Sequence, residues 1–223
     1  MSKEDKIDSK ERLLAAGLKI FAEKGYNGST FRDICDEAGS NIASINYYFS
    51  DKEGFYLAVR EYAHAKHRQA IVKCWAALET DPWIALRLNI ELLLEKTFDD
   101  TMFQANWLHM RELIDMDSIP KTPITQEMQE SFNQYNANMR RLMSALLGDA
   151  ATPQNMSLLR FTYHSLCGFL PIHKQIEDRC LKGQGQFSVT GIDRKTMSDF
   201  IFDAVKRTVE SMQRKMAQKK QAF

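Results

Sequence analysis

Between Thr30 and Glu53 the chain reads TFRDICDEAGSNIASINYYFSDKE, and this stretch constrains the fold more than any other. It packs three helix starts and one turn glycine into a few turns of chain. Thr30-x-x-Asp33 has the pattern of a capping box, Asn41 is a good N-cap for IASINYYF, and Ser50-x-x-Glu53 has the pattern of a third cap. Two helices this short bury little separately, so they must cross each other and lean on a third. A small residue at Cys35, a glycine at Gly39 and an aliphatic at Ile45 suit such a crossing, because a side chain at the turn would hinder it and a polar group at the contact would be buried unpaired.

The third helix precedes them. DSKERLLAAGLKIFAEK sets Leu14, Leu18 and Phe21 at i, i+4 and i+7 behind Asp8-x-x-Glu11, so a helix is expected over about 8–24, closed by Gly25. Ile34, Cys35 and Ala38 supply the inward face of the next helix, and Ile42, Ile45 and Phe49 that of the one after. A long helix is expected over about 53–78, then helices from Pro82 through WIALRLNIELLLEKTF, through TMFQANWLHMRELIDM, and over about 124–147, 154–182 and 193–217. No alternating strand pattern exceeds four residues, so the fold class is all-α. The expected domains are 1–52, a three-helix unit, and 53–223, a helical body reached by the long linking helix.

A pair of short helices joined by a glycine turn, with the second polar outside, meets the requirement of a helix-turn-helix whose second helix enters a major groove. The outer side of that helix carries Ala43, Ser44, Asn46, Tyr47 and Tyr48: small residues that permit approach, an amide able to read base edges, and phenol groups able to reach phosphates or thymine methyls. Bulk charge does not drive this reading. The net charge is +1, and residues 1–52 hold eight Lys and Arg against nine Asp and Glu, so DNA affinity must come from arrangement.

At these residues the chain resembles the N-terminal domain of the TetR family of transcriptional repressors, over about residues 10–57. The family pattern of a capped second helix, a turn glycine, an aromatic pair, a phenylalanine and a lysine opening the fourth helix corresponds to Thr30, Gly39, Tyr47 with Tyr48, Phe49 and Lys52. Carried over by position, the resemblance implies that Thr30, Tyr48 and Lys52 hold phosphates and that Ser44, Asn46 and Tyr47 face bases, with Asn41 and Ala43 beside them; Tyr47 and Tyr48 can exchange roles. Ser40, Ile42 and Asn46 depart from the usual residues, so the operator sequence of other members does not transfer. HMRELIDMDSIP further resembles a subgroup with an Arg-Glu pair in a later helix.

The resemblance also implies a C-terminal ligand-binding and dimerisation domain. Its aromatic and methionine-rich composition suits an adaptable apolar pocket, with Phe98, Phe103, Trp107, Met110, Phe132 and Tyr135 as walls and His109, Arg111, Asn136 and His164 as polar fixers. Each of those apolar residues would serve equally in a core. For the last two helices, Phe161, Ser165, Gly168, Phe169 and Ile172 share one side, and Met197, Ile201, Ala204, Val205, Thr208 and Met212 one side of the other. The resemblance implies a two-fold four-helix interface there, and a monomeric bundle core is the alternative.

Other chemistries find little support. His64 and His67 stand at i, i+3 but lack acidic or cysteine partners nearby, so no metal is expected. His109, Glu112, Asp115 and Asp117 lack a nucleophile motif or phosphate loop, so neither catalysis nor a cofactor is expected. Cys35, Cys74, Cys167 and Cys180 are widely spaced, as expected of reduced and mostly buried thiols. The charged N-terminus and the lack of a long apolar run point to a cytoplasmic protein without membrane contact. The expected function is a ligand-responsive repressor released from a palindromic double-stranded operator by an apolar or amphipathic effector, acting as a homodimer. The alternatives are a helical small-molecule-binding or interaction protein without DNA regulation, and a thiol sensor using Cys35 or Cys167.

Overall fold

The computed structural model describes residues 3–114, 126–181, 189 and 191–221, with side chains from residue 9 onward apart from 64, 66–70, 113–114, 126–128 and 181. His64, His67 and the DSIPKTP break fall outside these described parts. Among the described residues, ten α-helices run in order: α1 Lys3–Gly28, α2 Phe31–Ala38, α3 Ile42–Tyr48, α4 Lys52–Ala77, α5 Pro82–Phe98, α6 Asp100–Ile114, α7 Gln126–Leu147, α8 Pro153–Gly168, α9 Leu170–Ile176 and α10 Arg194–Gln221. No strand occurs among the described residues, and no described helix is long and apolar enough to cross a membrane.

Local chemistry explains most boundaries and corrects several expected ones. α1 starts at Lys3, five residues ahead of the expected cap at Asp8, because a first turn can form wherever water satisfies its amides. Its helical backbone breaks at Gly25, where φ is +74°. α4 is capped by Asp51 rather than Ser50, with Asp51 Oδ1 accepting from Gly54 N at 2.7 Å. The single helix expected over 154–182 is interrupted: α8 ends at Gly168, Pro171 stands in the first turn of α9, and a π-helical segment covers Glu177–Leu181. A proline lacks the N–H that would carry a continuous ladder through this point.

The chain forms two compact units, residues 1–69 with 98–123 and residues 70–97 with 124–223. They do not follow the expected division at 52/53, since α6 packs with the first unit. The first unit's core gathers Leu13, Leu18 and Phe21 of α1, Ile34 and Cys35 of α2, Ile45 of α3, Phe49, Phe55, Tyr56 and Val59, and Leu108 of α6. The second unit buries Leu86, Ile90 and Leu94 of α5, Met139 and Leu142 of α7, Leu159 and Tyr163 of α8, and Met197, Ile201, Val205 and Val209 of α10.

Candidate nucleic-acid interface

α2 is held at its start by a complete box. Thr30 Oγ1 accepts from Asp33 N at 3.1 Å, and Asp33 Oδ2 accepts from Thr30 N at 2.8 Å and from the Thr30 hydroxyl at 2.6 Å. Lys24 Nζ donates to Asp33 Oδ1 at 2.6 Å; this contact first, then the Thr30 bonds, lower the Asp33 pKa to about 2. The Thr30 hydroxyl hydrogen is given to Asp33 within the box.

The turn depends on Gly39 for conformation. Its φ is +59°, its N–H donates to Asp36 O, and Ser40 N donates to Cys35 O at 2.9 Å. A Cβ added at Gly39 would meet nothing within 4 Å, so the left-handed backbone, not lack of space, demands glycine here.

α3 then divides into an anchored side and an outward side. Ile45 is fully buried and Phe49 nearly so, and Phe49 closes the helix in an extended conformation, its N–H donating to Ile45 O at 2.8 Å. Asn41 Oδ1 accepts from Ser44 N at 2.9 Å and from Ser44 Oγ at 3.2 Å, so both residues serve the cap. Ala43, Asn46 and Tyr47 are exposed, Tyr47 to 67%. Tyr48 is half-buried against the core and meets the Tyr47 ring edge-on at 4.9 Å. Ile42, expected to point inward, is 45% exposed. The expected stripe counted Phe49 as helical, but its extended backbone reaches the core by another route, and Ile42 is left outside.

Lys52, expected at a phosphate, is also tied to the α1–α2 connection. Its ammonium donates to Tyr26 O at 2.6 Å and Ser29 O at 2.5 Å and lies 4.6 Å from the centre of the Tyr26 ring. Two of its three N–H bonds are thus given to the α1–α2 connection. Burial lowers its pKa against the opposing pull of Asp33. Lys10, which sequence reasoning passed over, is exposed and lies 5.6 Å from the Phe49 ring centre.

A second anchoring cluster involves residues expected in a ligand pocket. Because Gly25 breaks α1, the carbonyls of Ala22 and Glu23 lose their helical partners. Arg111 of α6 supplies replacements, donating through Nη1 at 3.1 and 2.6 Å. Next to it, Glu112 accepts the Tyr56 hydroxyl hydrogen at 2.7 Å and pairs with Arg60 at 2.9 Å, while His109 lies 3.8 Å away. Burial opposes the Glu112 charge, but His109, Arg60 and Tyr56 together hold its pKa below the usual value. Arg111 thus bonds to α1 within the first unit, and His109, with its side chain 53% exposed, stands beside Glu112. The Arg-Glu pair in HMRELIDM was the only sequence signal pointing to this cluster.

The other pocket residues divide between the units. Phe98, Phe103, Trp107 and Met110 are half-buried in the first, with the Phe103 and Trp107 rings stacked at 6.3 Å. In the second, Tyr135 hydrogen-bonds His164 at 3.1 Å and Asn136 accepts from Arg160 at 2.7 Å, whereas Phe132 is 61% exposed and walls no interior. The expected dimer face also splits. Phe161 and Phe169 are exposed to 71% and 50%, Ser165 and Gly168 are exposed, and Ile172 is half-buried. Ile201 and Val205 are buried in the unit's own core, with Ala204, Thr208 and Met212 half-buried; Phe200, 56% exposed, is the large apolar group α10 turns outward. Three of the four thiols are buried, and burial pushes Cys167 up to about 12, which suits packing rather than sensing.

Residues 13–59 match the family described as bacterial regulatory proteins, tetR family. The HTH-type transcriptional repressor AcnR of Corynebacterium glutamicum is 27% identical over 117 residues, which span 48% of this chain and 61% of that protein. The HTH-type transcriptional repressor NicS of Pseudomonas putida is 35% identical over 79 residues, 35% of this chain and 37% of its own. The HTH-type transcriptional dual regulator CecR of Shigella flexneri is 48% identical over 54 residues, 24% of each chain. The chain thus spans less than two thirds of these curated relatives. Among solved structures, a proposed fatty acid metabolism regulator of Clostridium perfringens superposes with a TM-score of 0.58 at 22% identity, covering 88% of this chain and 97% of that one, which supports the shared fold.

Proposed function

We propose that this chain, which carries the tetR-family domain over residues 13–59, is a homodimeric DNA-binding transcriptional repressor whose grip on a palindromic operator is released by a small-molecule effector. The observation that carries the reading is the division of α3. Ile45, Phe49 and the Asn41 cap lock one side, and Ala43, Asn46 and Tyr47 are presented on the other, Tyr47 with 67% of its surface exposed.

In this reading α3 enters a major groove, Asn46 and Tyr47 meet base edges, and the Tyr48 hydroxyl reaches a phosphate. Two copies place their α3 helices about 34–36 Å apart, one turn of DNA. The exposed Phe161 and Phe169 with Phe200 supply the apolar surface for pairing. The effector acts on the second unit. A displacement reaching α4 or α6 is felt at α3, because Phe49 packs on Phe55 at 4.8 Å and Tyr56 is held by Glu112. A coupling of about 1–3 kcal/mol changes operator affinity roughly 5- to 150-fold, and DNA weakens effector binding by the same factor.

The test is fluorescence anisotropy against DNA selected by the protein from a random pool. Tyr47→Ala relaxes base preference without lowering the unfolding midpoint. If no sequence is enriched, the near-balanced charge of residues 1–52 instead favours a helical ligand-binding protein that does not regulate DNA.

A further inference from the structure

The outward side of α3 carries an apolar group that the anchored side does not use. Ile42 is the first residue of α3 and is 45% exposed, while Ile45 is the buried residue of the helix and Phe49, its cap, is nearly so. Ala43, Asn46 and Tyr47 are exposed with it. Residues four apart on a helix are neighbours, so this surface consists of two rows, Ile42 with Asn46 and Ala43 with Tyr47. A single exposed isoleucine is ordinary on a protein surface. Its place beside Asn46, on the side that meets DNA in the proposed function, gives this one a role.

The charge of α3 narrows that role. Its seven residues, IASINYY, include no lysine, arginine, aspartate or glutamate. In the major groove guanine is read chiefly by arginine or lysine at O6 and N7, and cytosine by a carboxylate that accepts from N4. α3 has neither kind of group. Cations around it belong to other elements: Lys19 and Lys24 pair with Glu37 and Asp33 at 2.6 Å, and Lys52 donates to the Tyr26 and Ser29 carbonyls. Arg32 is exposed on α2, and the first helix of a helix-turn-helix crosses the phosphate backbone. What α3 offers is the Asn46 amide, which can accept from adenine N6 and donate to N7, and aliphatic groups that suit the 5-methyl of thymine.

We propose that Ile42 is a specificity-determining residue, its side chain packing on the 5-methyl of a thymine while Asn46 bonds an adenine, so that each half-site read by α3 is built on A·T pairs. Four residues of α-helix rise about 6 Å, the height of about two base pairs at about 3.4 Å each, so the two contacts fall within about two pairs of each other. The inference rests on the reading of α3 as the helix that enters the major groove.

Operators selected by the full chain from a random pool are resynthesised with deoxyuridine, which lacks only the methyl, in place of one thymidine at a time. Each is titrated by fluorescence anisotropy with wild type and with Ile42→Ser. At one thymine of the half-site, uracil weakens wild type about 3- to 5-fold, the worth of one methyl removed from water, and leaves the variant unaffected. Ile42→Gln repeats the measurement should the serine variant fold poorly. Within two pairs of that thymine, 7-deazaadenine in place of adenine weakens wild type about 2- to 12-fold, the worth of one hydrogen bond, and leaves Asn46→Ala unaffected. Selected half-sites in which no thymine responds to loss of its methyl overturn the proposal, as does a methyl effect that persists in both Ile42 variants or an adenine effect that persists in Asn46→Ala. In each of these cases the enrichment of a DNA sequence still upholds the regulator. A pool from which no sequence is enriched removes the regulator and this contact with it.

Discussion

Gly17→Ala sets two opposed effects against each other at the crossing of α1 and α4. In the middle of a helix, alanine is favoured over glycine by about 1 kcal/mol, so an isolated α1 would gain from the change. In the folded unit a Cβ at Gly17 would lie 2.6 and 2.7 Å from ring carbons of Phe55 and 2.8 Å from Val59 Cγ2. Carbon atoms rest about 3.5–4.0 Å apart, so something must move by about 1 Å. Phe55 and Val59 are fully buried, and the Phe55 ring is boxed by Phe49 at 4.8 Å and by Phe21 and Phe31 at 5.9 Å. Overpacking of this kind costs about 1–3 kcal/mol, and a ring fenced on three sides belongs at the upper end, leaving a net loss of about 1–2 kcal/mol. Urea unfolding followed by circular dichroism reads this as a lower midpoint. The same substitution in a Phe55→Leu background should cost less, because the clashing ring is gone. A midpoint equal to or above wild type for Gly17→Ala alone would refute the reasoning.

Glu112→Gln leaves Arg60 without its counter-charge in a mostly buried place, where breaking such a pair is strongly destabilising, and about 2–4 kcal/mol should be lost in urea unfolding; adding Arg60→Met should restore part of it. Asp33 has its pKa lowered from 3.8 to about 2 in the folded chain, so the stability it lends is full above 3.8 and fades as pH falls toward 2. Asp33→Asn should flatten that acid limb in thermal melts run at stepped pH. Phe161→Glu should yield a folded monomer by sedimentation velocity, since it puts a charge on the exposed apolar side of α8 while touching no core.

What could be read from sequence was mostly local. The Thr30 box, the Asn41 cap, the Gly39 turn and the burial of Ile45 each involve residues within four positions of one another, and all stand as expected. What escaped depends on long-range packing. Arg111 reaches the Glu23 carbonyl across 88 positions, so nothing near it in the chain marked it as the cap of a broken helix. Lys52 looked like a free cation at a helix start, and only the return of the α1–α2 connection, 23 and 26 positions earlier, shows where its hydrogen bonds go. Ile201 and Val205 carried the right spacing for an interface, but the same spacing serves a core, and α10 turns Phe200 outward instead.

The two-sided build of α3 bears on how such a protein diversifies. Residues that hold the helix, Asn41, Ser44, Ile45 and Phe49, are separate from Ala43, Asn46 and Tyr47, which face outward. A mutation at the outward positions alters what the helix meets without opening a cavity or stranding a buried group, so it falls among surface changes that usually shift stability by less than about 0.5 kcal/mol. Under the proposed function, one copy can therefore drift toward new target sites after gene duplication through folded intermediates, with no need for a prior stabilising change elsewhere.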